Sequence, residues 1–567
     1  MAIKFDEDKQ NRKVDDLRKQ EEEELAQVLA EAKYNIPYIN LLVTTIENEA
    51  LRIIPEPEAR AIEVAPFKVT GKNISVAVRA PSRPEVTLFK EELEKKGYKP
   101  TFYMVSLASL EKAWSRYAEI SFAEKSKSGS LDISPSVLAD LAQRIKTMGD
   151  VGRVAEEITK ESKTHKATRM LEVILAGAIS TGASDIHIEP EEHEVHVRFR
   201  LDGVLQNIMQ LDFPTHKLLN SRIKLISGLK ITSTTTAQDG RFGIFMNEVE
   251  ISMRVSVIPG AYGESVVMRI LDPKSIQHEI ESMGMDHKLY SIVMDQIKKP
   301  NGLILITGPT GSGKTTTLYG FLRKIYSPEL KIITIEDPIE YHLAGITQTQ
   351  VEEEKGYTFL AGLRAALRQD PDVIMVGEIR DGETAKTAIE SALTGHLVFS
   401  TLHTNDAAGV IPRLIDLGVN PKIMTSALRL SIAQRLVRKL CVECKKEKTP
   451  TELELKTIKN ILQTIVDEKK DLASYNVKID QEIKLWEAIG CEKCNGTGYK
   501  GRLGIFEAIE SDAAIEALVP TNPSEREIKK AAIPQGILTM REDGIIKILN
   551  GVTSYDEVGS VVDLNEA

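Results

Sequence analysis

The stretch Leu303-Ile-Leu-Ile-Thr-Gly308-Pro-Thr-Gly-Ser-Gly-Lys-Thr315 decides the fold of the C-terminal half of the chain. It joins an apolar run, typical of a buried strand, to a glycine-rich loop, and helix-forming residues follow from Thr316 to Leu322. A strand, a G-x-x-x-x-G-K-T loop and a helix in this order predict a P-loop, whose glycines let backbone N–H groups converge on a phosphate. The predicted nucleotide-binding residues are Gly308, Pro309, Thr310, Gly311, Ser312, Gly313, Lys314, Thr315 and Thr316.

Two side chains of this loop have predicted chemical roles. Lys314 can bridge the β- and γ-phosphate oxygens of ATP, and the hydroxyl of Thr315 can ligate Mg²⁺. The start of the following helix adds positive potential toward the phosphates. ATP and Mg²⁺ are therefore the expected ligands. An incidental glycine turn is the alternative, and the strand and helix on either side argue against it.

Acidic residues follow two predicted strands downstream of the loop, Ile332 to Ile335 and Val373 to Val376. Because ligands of open α/β sheets bind at the carboxyl ends of the strands, we expect these acids to belong to the same site. Glu378 occupies the Walker B position. The residue before it, Gly377, stands where many P-loop enzymes carry an aspartate. Taken alone, either cluster could be an ordinary polar strand end. The candidate residues of the two clusters are Glu336, Asp337, Glu340, Glu378 and Arg380.

Two histidines and two arginines near these clusters are weaker candidates. His396 precedes the predicted strand at Leu397 to Ser400, and His403 follows it. In isolation, both would be interpreted as surface histidines. Arg364 and Arg368 are four residues apart and share one face of a predicted helix, where they can contact phosphate or pair with acids.

Composition and charge limit the class of protein. The chain has 567 residues, more than a single hydrophobic core usually supports, so three or more folded units are expected. A net charge of −10 and an aromatic content of 5% favour protein partners over nucleic acid. No apolar run approaches the ~20 residues that cross a bilayer, and the polar segment from Met1 to Arg12 predicts no signal peptide. We therefore expect a cytoplasmic protein.

Composition shifts and hydrophobic periodicity divide the chain into four predicted parts. Residues 1–122 are expected to form a small α/β domain with a leading amphipathic helix, and 123–166 a linker with helices. Helical periodicity to about Ser180, broken near Gly149, and the alternating strands after it predict a sheet-containing domain over 167–288. A P-loop domain with a parallel sheet and covering helices is expected over 289–567.

The cysteines predict a metal site. All four lie beyond Arg438, in two C-x-x-C pairs, and in a reducing compartment such pairs favour metal over the alternatives, disulfides or free thiols. Four thiolates close a tetrahedral, structural Zn²⁺ site with no open position for catalysis. The metal would join both ends of an inserted subdomain, residues 438–498, whose charged interior is helical in pattern. The predicted ligands are Cys441, Cys444, Cys491 and Cys494.

The chain resembles the secretion ATPase family of type II secretion and type IV pilus assembly. The resemblance rests on the phosphate loop, the acidic clusters, the histidines and the cysteine pairs, which occur in this order. The resemblance continues upstream, through Ala183-Ser-Asp-Ile-His-Ile-Glu-Pro190, Arg198-Phe-Arg-Leu-Asp-Gly203 and Gln238-Asp-Gly-Arg241. It implies a multidomain α/β protein. The implied parts are an N-terminal α/β docking domain, a PAS-like α/β domain, a P-loop (RecA-like) NTPase domain and a tetracysteine zinc insert. The match to the docking domain is looser and rests on Ile36-Pro-Tyr-Ile-Asn40.

The resemblance also implies residue roles. Glu340 orients the attacking water, Glu378 helps to hold Mg²⁺, and His403 senses the γ-phosphate, with His396 as a weaker candidate. Two arginines of the second domain compensate charge on the transferring phosphoryl group. They correspond to Arg254 and Arg269.

As a whole, the family implies a hexameric ATPase motor that powers type IV pilus assembly or type II secretion. The implied partners are further copies of the chain, an inner-membrane platform protein and a cytoplasmic docking protein, which together place the ring at the inner face of the cell membrane. No nucleic acid is expected. The cysteine insert and the long N-terminal region favour assembly or secretion over pilus retraction. Thr234-Thr-Thr-Ala237 departs from the basic pair and proline that relatives commonly carry there.

Two other functions stay open. A nucleic-acid-translocating P-loop ATPase, for example one associated with DNA uptake, would need a basic channel that carries aromatic residues. A non-hydrolysing nucleotide-gated scaffold would not need Lys314, Glu340 and Glu378 together. ATPase assays with and without DNA separate the three functions.

Overall fold

The computed structural model describes residues 22–118 apart from 45, 52, 71 and 96, residues 135–160, residues 166–273 apart from 247 and 248, and residues 279–565 apart from 480. The chain forms two compact units, 1–132 and 133–567. The predicted linker around 123–130 and most of the leading charged run lie outside the described residues. The further predicted division of 133–567 stays a prediction.

The first unit is a three-stranded sheet packed with helices. β1 and β2 are antiparallel, whereas β2 and β3 are parallel. Trp114 is buried and donates from its indole nitrogen to the carbonyl of Val64 at 3.0 Å, which fixes the last helix against β1. The elements are α1 over 22–29, a π-helix Ala30–Tyr34, α2 Asn48–Leu51, α3 Glu56–Ala61, β1 Val64–Thr70, β2 Asn73–Val78, α4 Pro84–Lys95, β3 Lys99–Met104 and α5 Leu107–Ser115.

Three helices begin the second unit: α6 Pro135–Arg144, α7 Met148–Lys160 and α8 Lys166–Thr181. The first break in this helical segment lies at residues 145–147, slightly before the predicted position, and Gly149 lies in the first turn of α7. The carboxylate of Asp150 explains the shift. It accepts the backbone N–H groups of Lys146 at 3.1 Å and Thr147 at 3.0 Å, and so satisfies donors at the start of the helix.

A six-stranded antiparallel sheet follows, with strand order β6-β5-β4-β9-β8-β7. Alternate residues of its central strands, such as Ile186, Ile188, Val197 and Phe199, are buried, so one face of the sheet is apolar and the other is polar. The elements are β4 Asp185–Pro190, β5 Val195–Leu201, β6 Val204–Leu211, α9 Phe213–Ile226, β7 Gln238–Met246, β8 Val249–Gly260 and β9 Gly263–Leu271.

The P-loop domain is built on a seven-stranded sheet of order β12-β11-β13-β14-β10-β15-β18, parallel except for the β15–β18 pair. Its central strands are buried throughout, which confirms the predicted parallel sheet covered by helices. The elements up to β15 are α10 His287–Gln296, β10 Gly302–Thr307, α11 Lys314–Ile325, β11 Ile332–Glu336, β12 Thr347–Gln350, α12 Phe359–Leu367, β13 Val373–Val376, α13 Gly382–Leu393, β14 Leu397–Leu402, α14 Val410–Asp416, α15 Pro421–Ala427 and β15 Leu428–Leu440.

The segment between the cysteine pairs forms a small subdomain on the edge of this sheet. It contains a two-stranded antiparallel ribbon and one long helix, which Thr451 begins with a capping box to Glu454. Ile458, Ile461 and Ile465 of the helix are buried in one hydrophobic cluster with the sheet. Among the described residues, no helix is long and apolar enough to cross a membrane. The remaining elements are β16 Lys446–Lys448, α16 Glu452–Asp467, β17 Leu485–Glu487, β18 Tyr499–Glu510, α17 Ala513–Leu518, α18 Glu525–Ala532, α19 Met540–Leu549 and α20 Tyr555–Gly559.

Candidate functional site

The glycine loop connects β10 to α11 at the carboxyl end of the parallel sheet. Gly308, Gly311 and Gly313 have φ angles of 146°, 81° and 89°, a region that favours glycine. A Cβ atom at Gly308 would lie 2.5 Å from the backbone carbonyl of Gln434, so only glycine fits there. The loop therefore has the conformation in which successive backbone N–H groups can face an anion.

Two side chains of the loop fit a phosphate ligand. Lys314 donates to the carbonyls of Gly308 at 2.8 Å and Pro309 at 3.1 Å, and its burial lowers the pKa of the ammonium group. The hydroxyl of Ser312 is buried and has no hydrogen-bond partner in the part of the chain that the structure describes. Thr310 and Thr315 are exposed at the mouth of the loop, and Thr316 is half-buried. The loop thus holds polar groups that the fold does not use.

The first acidic cluster splits into a buried and an accessible part. Glu336, at the end of β11, is buried and accepts hydrogen bonds from Thr334 Oγ1 at 2.5 Å, Gln348 Nε2 at 3.0 Å and the Tyr319 hydroxyl. Burial, followed by the charge of Glu336, raises the pKa of Tyr319. Glu340, by contrast, is partly exposed and faces the six-stranded sheet. The geometry gives Glu336 an internal anchoring position and leaves the side chain of Glu340 partly accessible.

The second cluster gathers around Glu378, just after β13. Arg380 Nε donates to Glu378 Oε1 at 2.7 Å, and His403 Nε2 lies 3.3 Å from Glu378 Oε2. Arg380 also pairs with Asp337 at 3.4 Å, so it joins the two acidic clusters. The hydrogen bond that Arg380 donates to Glu378 is the main cause that raises the pKa of Arg380. Burial lowers the pKa of Lys314, and the negative charge of Glu378 opposes that shift.

Two arginines reach toward this site from the six-stranded sheet. Arg254 on β8 donates from Nη1 to Glu340 Oε2 at 3.0 Å and also donates to the carbonyl of Ile339. Arg269, its direct neighbour on β9, donates from Nε to Asp185 at 2.9 Å. The hydrogen bond that Arg269 donates to Asp185 raises the pKa of Arg269 most, and the charge of Glu340 adds to this effect. The polar face of the sheet therefore contacts the predicted catalytic carboxylate.

Three predicted residues lie apart from this cluster. His396 precedes β14 and His403 follows it, so the two histidines stand at opposite ends of one strand; His396 Nδ1 lies 3.0 Å from the carbonyl of Ser391. Arg364 is exposed and pairs with Glu383 at 3.7 Å, and Arg368 is exposed at the end of α12. The glycine loop and its acids are brought together without these three side chains.

Sequence reasoning missed two residues of β15 that support the loop. Gln434 accepts the hydroxyl of Thr317 at 2.8 Å, and Arg435 donates to the carbonyl of Asn405 at 2.7 Å. Burial lowers the pKa of Arg435. The alternating pattern of Leu428, Leu430 and Ile432 was the available signal, because it predicts a strand. The residues that follow would then lie at the end of the sheet that carries the glycine loop.

The four cysteines form one cluster, as their spacing predicts. Their sulfur atoms all lie within 4.8 Å of one another. The Sγ–Sγ distance is 3.9 Å between Cys441 and Cys491, 3.8 Å between Cys444 and Cys494, and 3.7 Å between Cys491 and Cys494. A tetrahedron of thiolates about 2.3 Å from Zn²⁺ has edges of about 3.8 Å, whereas a disulfide needs about 2.05 Å. The donor set therefore fits a four-thiolate zinc site.

The fold and these sites define a P-loop nucleotide-binding protein with a cluster of four cysteines that could hold a metal ion. Residues 160–560 match the type II/IV secretion system protein family, and the chain belongs to this family. It is 37% identical over 543 residues to the type IV pilus assembly ATPase PilB of Myxococcus xanthus, covering 95% of this chain and 91% of that protein. It is 44% identical over 390 residues to the type II secretion system protein E of Aeromonas hydrophila, covering 69% of this chain and 74% of that protein.

A solved structure of similar fold is the Legionella pneumophila ATPase DotB. It superposes with a TM-score of 0.50 at 23% identity and covers 71% of this chain and 97% of that one. At this identity, the likeness concerns the fold alone.

Proposed function

We propose that this chain is a Mg²⁺-dependent ATPase that works as a hexameric motor in type IV pilus assembly or type II secretion. The observation that carries the proposal is the contact of Arg254 with Glu340 in a chain whose β10–α11 loop has the P-loop conformation. Arg254 belongs to the six-stranded sheet, and that sheet does not need an arginine that reaches a carboxylate following β11 of the other sheet. The contact serves a purpose if the two domains close over a bound nucleotide.

The proposed roles follow from the positions of the side chains. Lys314 and the backbone N–H groups of the loop hold the β- and γ-phosphates. Thr315 and Glu378 hold Mg²⁺, which when bound neutralises developing charge on the phosphates. His403 lies against Glu378, where it can sense the γ-phosphate and keep the carboxylate in place.

Glu340 is the proposed residue that orients the attacking water. Its hydrogen bond from Arg254 Nη1, at 3.0 Å, holds the carboxylate in one direction. Arg269 lies one strand away and is half-exposed, so its guanidinium has room to turn toward a phosphate. In this arrangement, Arg254 and Arg269 of the six-stranded sheet supply positive charge beside the negative transferring phosphoryl group.

The assembly is proposed from the relatives. The names of the relatives concern type IV pilus assembly and type II secretion, and they support a role in such a machine. In this proposal the motor acts on an inner-membrane platform protein and is held by a cytoplasmic docking protein. We place it in the cytoplasm, at the inner face of the membrane, as a homo-hexamer. Zn²⁺ in the cysteine cluster has a structural role, because four thiolates leave no open coordination position.

A direct test measures phosphate release from ATP by the purified full-length chain, with and without Mg²⁺ and with and without DNA. The proposal predicts hydrolysis that requires Mg²⁺ and is unchanged by DNA. Absence of hydrolysis would favour a nucleotide-gated scaffold, and a large stimulation by DNA would favour a nucleic-acid translocase. Either result contradicts the proposal.

A further inference from the structure

A single cross-strand row of the six-stranded sheet carries an unusual excess of positive charge. Arg241 on β7 is directly opposite Arg254, and Arg254 is directly opposite Arg269. The row continues through Asp185 on β4 to Arg200 on β5. Residues directly opposite in antiparallel strands point to the same face, with Cβ atoms about 5 Å apart. Four guanidinium groups therefore share one face with a single carboxylate of the same row.

Ion pairs satisfy three of the four arginines. Asp185 pairs with Arg269 at 2.9 Å and with Arg200 at 3.5 Å, and Glu340 pairs with Arg254 at 3.0 Å. Arg241 is exposed and makes no hydrogen bond or ion pair to any residue that the structure describes. It is the surplus cation of the row, and it adjoins the arginine that reaches the P-loop domain.

The residues around Arg241 already have structural roles that fix its position. The side-chain amide of Gln238 donates to the carbonyls of Lys230 at 3.2 Å and Ser233 at 3.0 Å, and its oxygen accepts the backbone N–H of Lys230 at 2.8 Å. A Cβ atom at Gly240 would lie 2.5 Å from the carbonyl of Ser227, so β7 packs closely on the end of α9. These contacts hold the backbone of Arg241, while the fold makes no use of its side chain.

Like charges directly opposite each other destabilise a sheet, and Arg241 lies opposite Arg254 without an ion pair to any described residue. Arg254 already extends to Ile339 and Glu340, and Arg241 projects from the next strand to the same side. We propose that Arg241 contacts the terminal phosphate of ATP held by the P-loop, as a third arginine beside Arg254 and Arg269. The inference rests on the proposed function, which supplies the nucleotide.

The test measures the affinity of the full-length chain for AMP-PNP and for ADP. Arg241→Ala is expected to weaken AMP-PNP binding about tenfold, as loss of a charge-assisted hydrogen bond does, and to leave ADP binding nearly unchanged. Arg241→Lys is expected to recover part of the loss, because it keeps the charge without the planar fork. The matched control is Arg526→Ala, which removes an exposed arginine from α18.

The outcomes separate this inference from the proposed function. If Lys314→Ala loses AMP-PNP binding while Arg241→Ala binds both nucleotides as Arg526→Ala does, the inference about Arg241 is wrong and the P-loop function stands. Equal losses of AMP-PNP and ADP in Arg241→Ala also contradict a contact with the terminal phosphate. If Lys314→Ala binds AMP-PNP as tightly as the unmodified chain, the proposed function itself fails.

Discussion

At the level of single residues, Lys314 and the two acids Glu340 and Glu378 carry different parts of the proposed reaction. Lys314 lies within the loop, whereas the carboxylates lie at the ends of neighbouring strands. We expect Lys314→Ala to lose most nucleotide affinity. Glu340→Gln and Glu378→Gln are expected to keep binding and to lose turnover by about a hundredfold or more, since neither carboxylate anchors phosphate. Titration with labelled nucleotide and steady-state phosphate release measure both quantities, and unchanged rates in the two glutamine variants would contradict the proposed roles of these carboxylates.

The hydrogen bond from Tyr319 to the buried carboxylate of Glu336 makes a separate prediction about stability. Tyr319→Phe removes a donor to a charged, buried acceptor, and the expected cost is about 1–3 kcal/mol. Tyr357→Phe is the control, because its hydroxyl donates to the neutral Thr349 at 3.0 Å and its loss costs less. Thermal unfolding of both variants checks this. A larger loss of Tm in Tyr357→Phe than in Tyr319→Phe would overturn the anchoring role of Glu336.

The same residues show what a sequence can indicate about individual side chains. The spacing of the glycines, Lys314 and the cysteines fixes their geometry, because each motif is closed within one loop or one pair of turns. The first acidic cluster is different. Glu336 is the last residue of β11 and Glu340 lies four residues beyond it, and the sequence alone does not tell which of the two is buried. Alternation along β11 turns Glu336 inward onto Tyr319 and Gln348, and those partners come from other elements that no local pattern identifies.

At the level of helices and strands, the zinc site is predicted to hold the insert onto β15 and β18, the last two strands of the seven-stranded sheet. Cys441 follows β15, and Cys494 precedes β18, so one ion would tie both ends of the subdomain. We expect one Zn²⁺ per chain and a lower Tm for Cys491→Ser, because three thiolates are a poorer site than four. Metal analysis of protein purified without added zinc and thermal unfolding give the two values.

Nucleotide binding provides the control for the zinc prediction. Cys491→Ser should bind ADP as the unmodified chain does at temperatures where it is folded, because the cysteines take no part in the P-loop. Protein that contains no zinc, or a cysteine variant with unchanged Tm, would contradict the structural role.

Strands with uniform apolar composition were predicted from the sequence, whereas β15 and β18 were not. β10 and β13 are short apolar runs bounded by loops, which is typical of buried parallel strands. In β15, the polar residues Ser431 and Gln434 are buried, and Gln434 accepts the hydroxyl of Thr317, so the apolar pattern is interrupted. β18 pairs with β15 only after the whole insert, and such a long-range partner leaves no local signal.

For the molecule as a whole, the proposed function depends on the six-stranded sheet and the P-loop domain acting together. The link between them at the site is the bond from Arg254 to Glu340 and the neighbouring position of Arg269. If both arginines stabilise the transferring phosphoryl group, hydrolysis requires the closed arrangement and release of products permits opening. Domain motion is then coupled to turnover, which is what a motor needs.

This coupling is tested by the steady-state ATPase rates of Arg254→Ala and Arg269→Ala, recorded beside their ADP affinities. We predict turnover lower by a factor of about a hundred or more, as for the loss of an arginine finger, with ADP affinity nearly unchanged and partial recovery in Arg254→Lys. Near-normal turnover in both alanine variants would show that the sheet domain takes no part in hydrolysis.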